Sequence, residues 1–284
     1  QSFRMLEQPL LLRGDGRTDR SRRWPVHVFT VAFLLCVLAA ATWLRAGAPS
    51  AEALLTVAPP SSDDHGTIVL RIDGVPRAYT LAALQSTSSA LVNVSGSTLS
   101  LERGPSAAQG TRLWVANDAT LASDSYVHFE LLGKRLSYTI DLSSVGCSCN
   151  AALYWVSMPG YVEGGALAPG TFGNYYCDAN KVNGVWCWEH DTIEANMFAM
   201  QVAAHSCSEL PGRYIAECDR GGAGINSWRV NSRGLCPREE CIIDSRLPFR
   251  HAQTFVADAD GTRLIAIDNQ LEQGGRTFTF SRWV

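Results

Sequence analysis

The 284-residue sequence lacks an excess of either charge, an internal repeat and, beyond its first 25 residues, any cluster of basic side chains. A net charge of −3, from 24 Lys and Arg against 27 Asp and Glu, excludes nucleic acid as the partner, because a nucleic-acid binder carries a basic face. Helical periodicity is nearly missing too. Residues 81–85 and 193–202 are the only segments that suggest a helix, and both are short, which excludes a helical bundle. With 46% hydrophobic and 18% charged residues, the composition is that of an ordinary globular chain. The first residue is Gln rather than Met, so the natural start is read as lying upstream or at Met5.

What the chain does have begins with an uncharged apolar run at 28–44 (VFTVAFLLCVLAAATWL), near the minimum length for crossing a bilayer. Arg13, Arg17, Arg20, Arg22 and Arg23 precede it and Arg45 alone follows closely, so the positive-inside rule places the N-terminus in the cytoplasm. The expected organisation is a cytoplasmic basic tail at 1–26, a transmembrane signal anchor at 27–45 in contact with the lipid bilayer, a linker at 46–66 rich in Ala, Pro and Ser, and one exported domain at 67–284. The alternative is a secreted protein, cleaved at Ala46-Gly47-Ala48. An N-glycosylation sequon, Asn93-Val94-Ser95, is consistent with export.

Of the nine cysteines, Cys36 falls in the apolar run; in an oxidising compartment the others suggest disulfides before metal ligands. A zinc site from Cys236 and Cys241 with Cys218 and His205 matches no common ligand spacing and is disfavoured, so no metal is expected.

From 67 onward the pattern is β. Segments 67–73, 91–101, 111–117, 126–132, 136–142 and 152–158 read as strands, and 254–257, 263–268 and 276–282 close the chain in the same way. In LSYTIDL, Leu136, Tyr138, Ile140 and Leu142 share one face. Asp258-Ala259-Asp260-Gly261 marks a hairpin. These strands predict a single all-β domain, an antiparallel β-sandwich.

The segment WEHDTIEAN (188–196) sets Glu189, Asp191 and Glu194 among apolar neighbours, where like charges are costly. On an extended strand Glu189 and Asp191 share a face, roughly 7 Å apart, while Glu194 has the opposite parity. Bringing Glu194 across requires a bulge or turn near Thr192-Ile193. Two facing glutamates with an aspartate between them would equip a retaining glycosidase, which needs carboxyls about 5–5.5 Å apart and no cofactor. Trp186 and Trp188 would offer flat surfaces for sugar rings, or pack in the loops. The E-x-D-x-x-E spacing alone fits surface acids or a cation site better than catalysis.

Its flanks resemble glycoside hydrolase family 7, the retaining cellobiohydrolases and endoglucanases. The resemblance rests on Glu189, Asp191, Glu194, Ala195 and Asn196 in order, on LLGKRLSYTIDLSSVGCSCNAALYWVSM (131–158), on GTRLWVAN (110–117), on Tyr176-Cys177-Asp178, and on His205 followed by Cys207. It covers roughly 95–284 and implies a reduced concanavalin A-like jelly roll. It also implies Glu189 as nucleophile, Asp191 as its modulator and Glu194 as acid/base, with Asp178 and His205 lining the sugar subsites. Asn180 stands where the family has Gln, and Trp188 is a candidate sugar contact. Disulfides Cys177–Cys187 and Cys207–Cys236 are implied; Cys147, Cys149, Cys218 and Cys241 are left to re-pair among themselves. The expected function is membrane-anchored, retaining hydrolysis of a polysaccharide, a β-1,4-glucan such as cellulose, outside the cytoplasm. The alternatives are a lectin-like domain that binds glucan without turnover, and a structural wall-linked anchor.

Overall fold

The computed structural model describes the backbone of residues 2–6, 11–14, 30–35, 62–84, 91–102 and 112–283. Its strands in chain order are β1 (Ser2–Leu6), β2 (Leu11–Gly14), β3 (Thr30–Leu35), β4 (Ser62–Ile72), β5 (Val75–Leu84), β6 (Val92–Ser95), β7 (Thr98–Glu102), β8 (Trp114–Ala116), β9 (Lys134–Asp141), β10 (Ala151–Val156), β11 (Glu189–Ala195), β12 (Met200–His205), β13 (Ala223–Asn226), β14 (Leu235–Cys236), β15 (Ile243–Asp244), β16 (Phe249–Ala257), β17 (Leu264–Gln273) and β18 (Arg276–Trp283). Among the described residues, helix comprises a single-turn α1 (Ser227–Val230), a 3₁₀ turn at Val182–Gly184 and a 3₁₀ residue at Leu91.

The strands form two layers. The front runs β13-β12-β11-β10-β3-β8-β5-β4; in the back, β9 pairs on one side with β16, followed by β17 and β18, and on the other with β1, followed by β7 and β6. Between them lies one core, to which β9 contributes Leu136, Tyr138 and Ile140, β10 Leu153 and Trp155, β11 Ile193 and β12 Val202. The alternation read in 136–142 is therefore the alternation of core and outer face. Each such buried side chain contributes about 1.5–3 kcal/mol relative to exposure.

Several expectations change. Residues 91–101 form a hairpin, β6 and β7, turning at Gly96-Ser97. Segment 126–132 is irregular, held to β8 by the bridge between Ala116 and Tyr126. Both helical candidates are overturned: 81–84 ends β5, and 193–202 is the end of β11, a turn and the first half of β12. Apolar residues three and four apart also arise where a bulge or turn interrupts a strand, and short runs do not separate the two cases.

The N-terminal expectations change most. Within the expected anchor, Thr30–Leu35 is β3, paired along its length with Ala151–Val156 and at Ala32 with Trp114. An apolar run rich in β-formers fits a slot between two strands as well as a membrane, and there its backbone completes the sheet. The remainder of 28–44 lies outside the described residues. The expected cytoplasmic tail includes β1 and β2, which pair with β9. Among the described residues, no helix is long and apolar enough to cross a membrane. The expected linker at 46–66 likewise yields its last residues to β4.

Candidate active site

The three acids sit on β11, in the front sheet. In the pairing with β10, Leu153 faces Ile193 and the next residue, Tyr154, faces Asp191, so Thr192 is an extra residue. The ladder to β12 shifts between Asp191 and Glu194 as well. This is the bulge needed to bring Glu194 across. Thr192 and Ile193 both turn to the core, and Glu194 joins Asp191 and Glu189 on the outer face, opposite Gln201 as Asp191 is opposite Ala203.

Each acid has a distinct partner. Glu189 is buried, and its Oε2 accepts the Ala179 N–H at 3.0 Å. Burial, then the charges of Asp191 and Asp178, push its carboxyl up to about 8, against the Ala179 bond and the charge of His205. Asp191 Oδ2 lies 3.0 Å from His205 Nε2, and His205 Nδ1 donates to the Asp219 carbonyl at 2.8 Å. Against the cost of burial, those two bonds raise the imidazole to about 9. His205 therefore pairs with Asp191 as an imidazolium. Glu194 Oε1 accepts from Asn150 Nδ2 at 2.9 Å, and burial followed by the charge of Asp191 raises its carboxyl above the usual range.

The loop before β11 frames the site. Asp178 is buried; its Oδ2 accepts the Tyr176 hydroxyl at 2.8 Å and its Oδ1 the Asn180 N–H at 2.8 Å. The Cys177–Cys187 disulfide closes this loop, and a bridge pairs Asp178 with Trp186. Gly160 lies beneath it, where an added Cβ would meet Val185 at 2.9 Å and the Cys177 sulfur at 3.1 Å. On the other side, Gly222 has φ +67° and an added Cβ would fall 2.6 Å from the His205 ring. Only glycine fits beside this imidazole without strain.

Two further sequence candidates make contacts within the protein. Asn180 is exposed, and its carbonyl accepts from Arg220 at 3.2 Å. Trp188 is half-buried with Ile215 and Cys218, and its indole N–H donates to the Glu209 carbonyl at 2.7 Å, which makes it a loop anchor. Cys207 bonds Cys218 and Cys236 bonds Cys241, so the expected Cys207–Cys236 disulfide is overturned. The reason is local. Residues 206–219 double back, with Ser208 N–H on the Glu217 carbonyl and Asp219 N–H on the Ser206 carbonyl, which sets Cys207 opposite Cys218. Cys147 and Cys149 lie outside the three disulfides. The disfavoured zinc set is spent in these bonds, and no cluster of three or more metal-ligating side chains occurs among the described residues.

Sequence reasoning missed two groups. Arg112 lies with its guanidinium 4.3 Å from the Tyr176 ring centroid and 5.9 Å from that of Tyr154, its charge felt by Asp178 and Glu189. Asn150 holds Glu194. Both stand inside the segments that carried the family resemblance, but neither spacing nor parity connects them to β11. Chemically, the face offers two protonatable glutamates, an Asp–His pair between them and a fixed cation beside them. That is equipment for proton transfer and for meeting developing positive charge.

Residues 80–185 match the family model described as Glycosyl hydrolase family 7. The chain is 30% identical over 175 residues to "Endoglucanase 1" of Pyricularia oryzae, covering 53% of this chain and 41% of that protein. It is 31% identical over 165 residues to "Endoglucanase type C" of Fusarium oxysporum, covering 48% and 38%. The match thus spans about two fifths of each curated relative. Among solved structures, the native endocellulase EGI of Humicola insolens superposes with a TM-score of 0.53 at 27% identity, covering 66% of this chain and 53% of that one. A family 7 cellobiohydrolase of Daphnia pulex, at 20% identity and a TM-score of 0.56, shares the fold, covering 78% and 72%. The front sheet bulged at Thr192 is thus found in a chain that is similar to glycosyl hydrolase family 7 over residues 80–185 and shares its fold with solved members of that family.

Proposed function

We propose that the protein hydrolyses β-1,4-glucan with retention of anomeric configuration, in an oxidising, extracellular setting. The observation that carries the reading is the bulge at Thr192, which sets Glu194 on the face of Glu189 and Asp191. The relatives named endoglucanase support the substrate class, and the disulfides support the compartment. Thr30–Leu35, within the expected anchor, is β3, and among the described residues no helix is long and apolar enough to cross a membrane.

In the first step ionised Glu189 attacks the anomeric carbon while protonated Glu194 gives its proton to the departing glycosidic oxygen, leaving a glycosyl ester on Glu189. In the second, Glu194, now ionised, takes a proton from water; the water oxygen bonds to the anomeric carbon and the Glu189 ester oxygen leaves. The raised Glu194 carboxyl suits an acid that must keep its proton near neutrality. Asp191, tied to His205, holds charge beside Glu189, while Arg112 and the Ala179 N–H favour Glu189 in its ionised form. Asp178 fixes the loop that supplies that N–H.

A second reading, glucan binding without turnover, is favoured by one observation: a Glu189 carboxyl near 8 holds its proton at neutral pH and is then no nucleophile. Release of reducing sugar from soluble β-1,4-glucan, compared between the chain and its Glu189→Gln variant, separates the two. Turnover that the substitution abolishes supports hydrolysis. Retention of glucan with no sugar released by either supports binding alone.

A further inference from the structure

The core face of β11 carries a chain of hydrogen bonds that spans the sandwich, and the site chemistry described above does not use it. Thr192, the bulged residue, leaves the regular ladder. Its hydroxyl accepts from the Trp155 indole N–H at 2.6 Å and donates to Gln253 Oε1 at 3.1 Å, while Gln253 Nε2 reaches the Thr192 carbonyl at 3.4 Å. The same Gln253 oxygen accepts from His190 Nε2 at 2.8 Å. Gln253 therefore grips the residues on both sides of Asp191, from the opposite sheet. Its remaining N–H donates to Asn269 Oδ1 at 2.9 Å, which also accepts from His251 Nε2 at 3.0 Å; His251 Nδ1 takes the Tyr138 hydroxyl at 2.7 Å. Gln253, Asn269 and His251 are almost wholly buried, as is Thr192.

Such a network is costly to bury, and its parts differ in what they could do. Tyr138, His251 and Asn269 join strands of the back sheet to one another. Gln253 alone crosses to the front sheet, and it lands on the extra residue. A bulge can relax by sliding its extra residue along the strand, and a slip of one position would return Glu194 to the core face.

We propose that Gln253 is a positioning residue for hydrolysis: by bonding both the hydroxyl and the carbonyl of Thr192, it locks the bulge in the register that presents Glu194 beside Glu189. The inference rests on the proposed hydrolysis for its kinetic consequence but not for its structural one. Misplacing reacting groups by about 1 Å costs on the order of 100-fold in rate.

The test compares Gln253→Met, which keeps the length and removes every bond, with Tyr138→Phe, which removes only the far end of the network. For both, the thermal midpoint, kcat and KM on soluble β-1,4-glucan and the titration of the His205 ring by NMR are measured. Gln253→Met is expected to lower kcat by roughly 10- to 100-fold with KM within about twofold. It is also expected to move the His205 titration downward, as Asp191 drifts from the imidazole. Tyr138→Phe is expected to lower the midpoint alone. Unchanged kcat and His205 titration in Gln253→Met, or equal changes in both variants, overturn the inference. If the parent chain releases no sugar, the hydrolysis reading fails, while the His205 titration still decides the clamp. If Gln253→Met does not fold, Thr192→Val, which removes the hydroxyl alone, is expected to shift the same titration, and an unshifted His205 then counts against the clamp.

Discussion

Two histidines in neighbouring strands, both buried, titrate in opposite directions. His190 on the core face of β11 is lowered, chiefly by burial, and its partner Gln253 is neutral. His205 on the outer face of β12 is raised to about 9 despite burial, because a carboxylate and a carbonyl hold its two N–H groups. The contrast extends to the two faces of β11. On one, burial outweighs the hydrogen bonds and holds neutral groups in fixed geometry. On the other, acids crowd together with their proton affinities pushed apart. Burial alone does not make a reactive site; unequal partners do.

The sharpest way to break that contrast is to remove an acid from the outer face. Glu189→Gln is expected to reduce turnover by about three orders of magnitude or more, measured as reducing-sugar release. Glu194→Gln is expected to cost roughly 10²–10⁴-fold on glucan and far less on an aryl glucoside whose leaving group needs no proton, which assigns the acid role to Glu194. Gly222→Ala places a methyl against the His205 ring in a left-handed backbone; it is expected to lower kcat about tenfold and to disturb the His205 titration.

Smaller effects sharpen the electrostatics. Asp191→Asn removes the charge that holds Glu189 up and the partner that raises His205, so both groups are expected to titrate lower. The acid limb of kcat/KM, set by ionisation of Glu189, then moves to lower pH. Stability follows the same logic. Glu189 is raised from 4.5 to about 8, so its contribution is fully present below 4.5 and lost as pH rises through 8. The contribution of His205 is present below 6.5 and lost as pH rises through about 9. The thermal midpoint is expected to fall from pH 5 to pH 9, and to fall less in Glu189→Gln.

Much of this was legible in the residues. Parity says that Glu194 joins Glu189 and Asp191 only through a bulge or turn near Thr192-Ile193, and a bulge lies there; the alternation in 136–142 locates the core. The Cys177–Cys187 bond, implied by the family resemblance, is present. Cys207 was misassigned, because its partner is set by the way 206–219 folds back, which spacing does not encode. Hydropathy does not distinguish a bilayer from a slot between β8 and β10, which is where Thr30–Leu35 of the apolar run lies. Arg112, Asn150 and Gln253 were invisible for a further reason: each reaches β11 from a strand or loop distant in sequence, and only topology brings them there.

The measurement that tests the central claim most directly is to trap the glycosyl-enzyme with a 2-fluoro cellobioside carrying a good leaving group, then locate the adduct by mass spectrometry of peptides. The account requires one added glycosyl unit on Glu189, with none in Glu189→Gln. An adduct on another residue, or release of inverted product from a chain that never forms one, would contradict it.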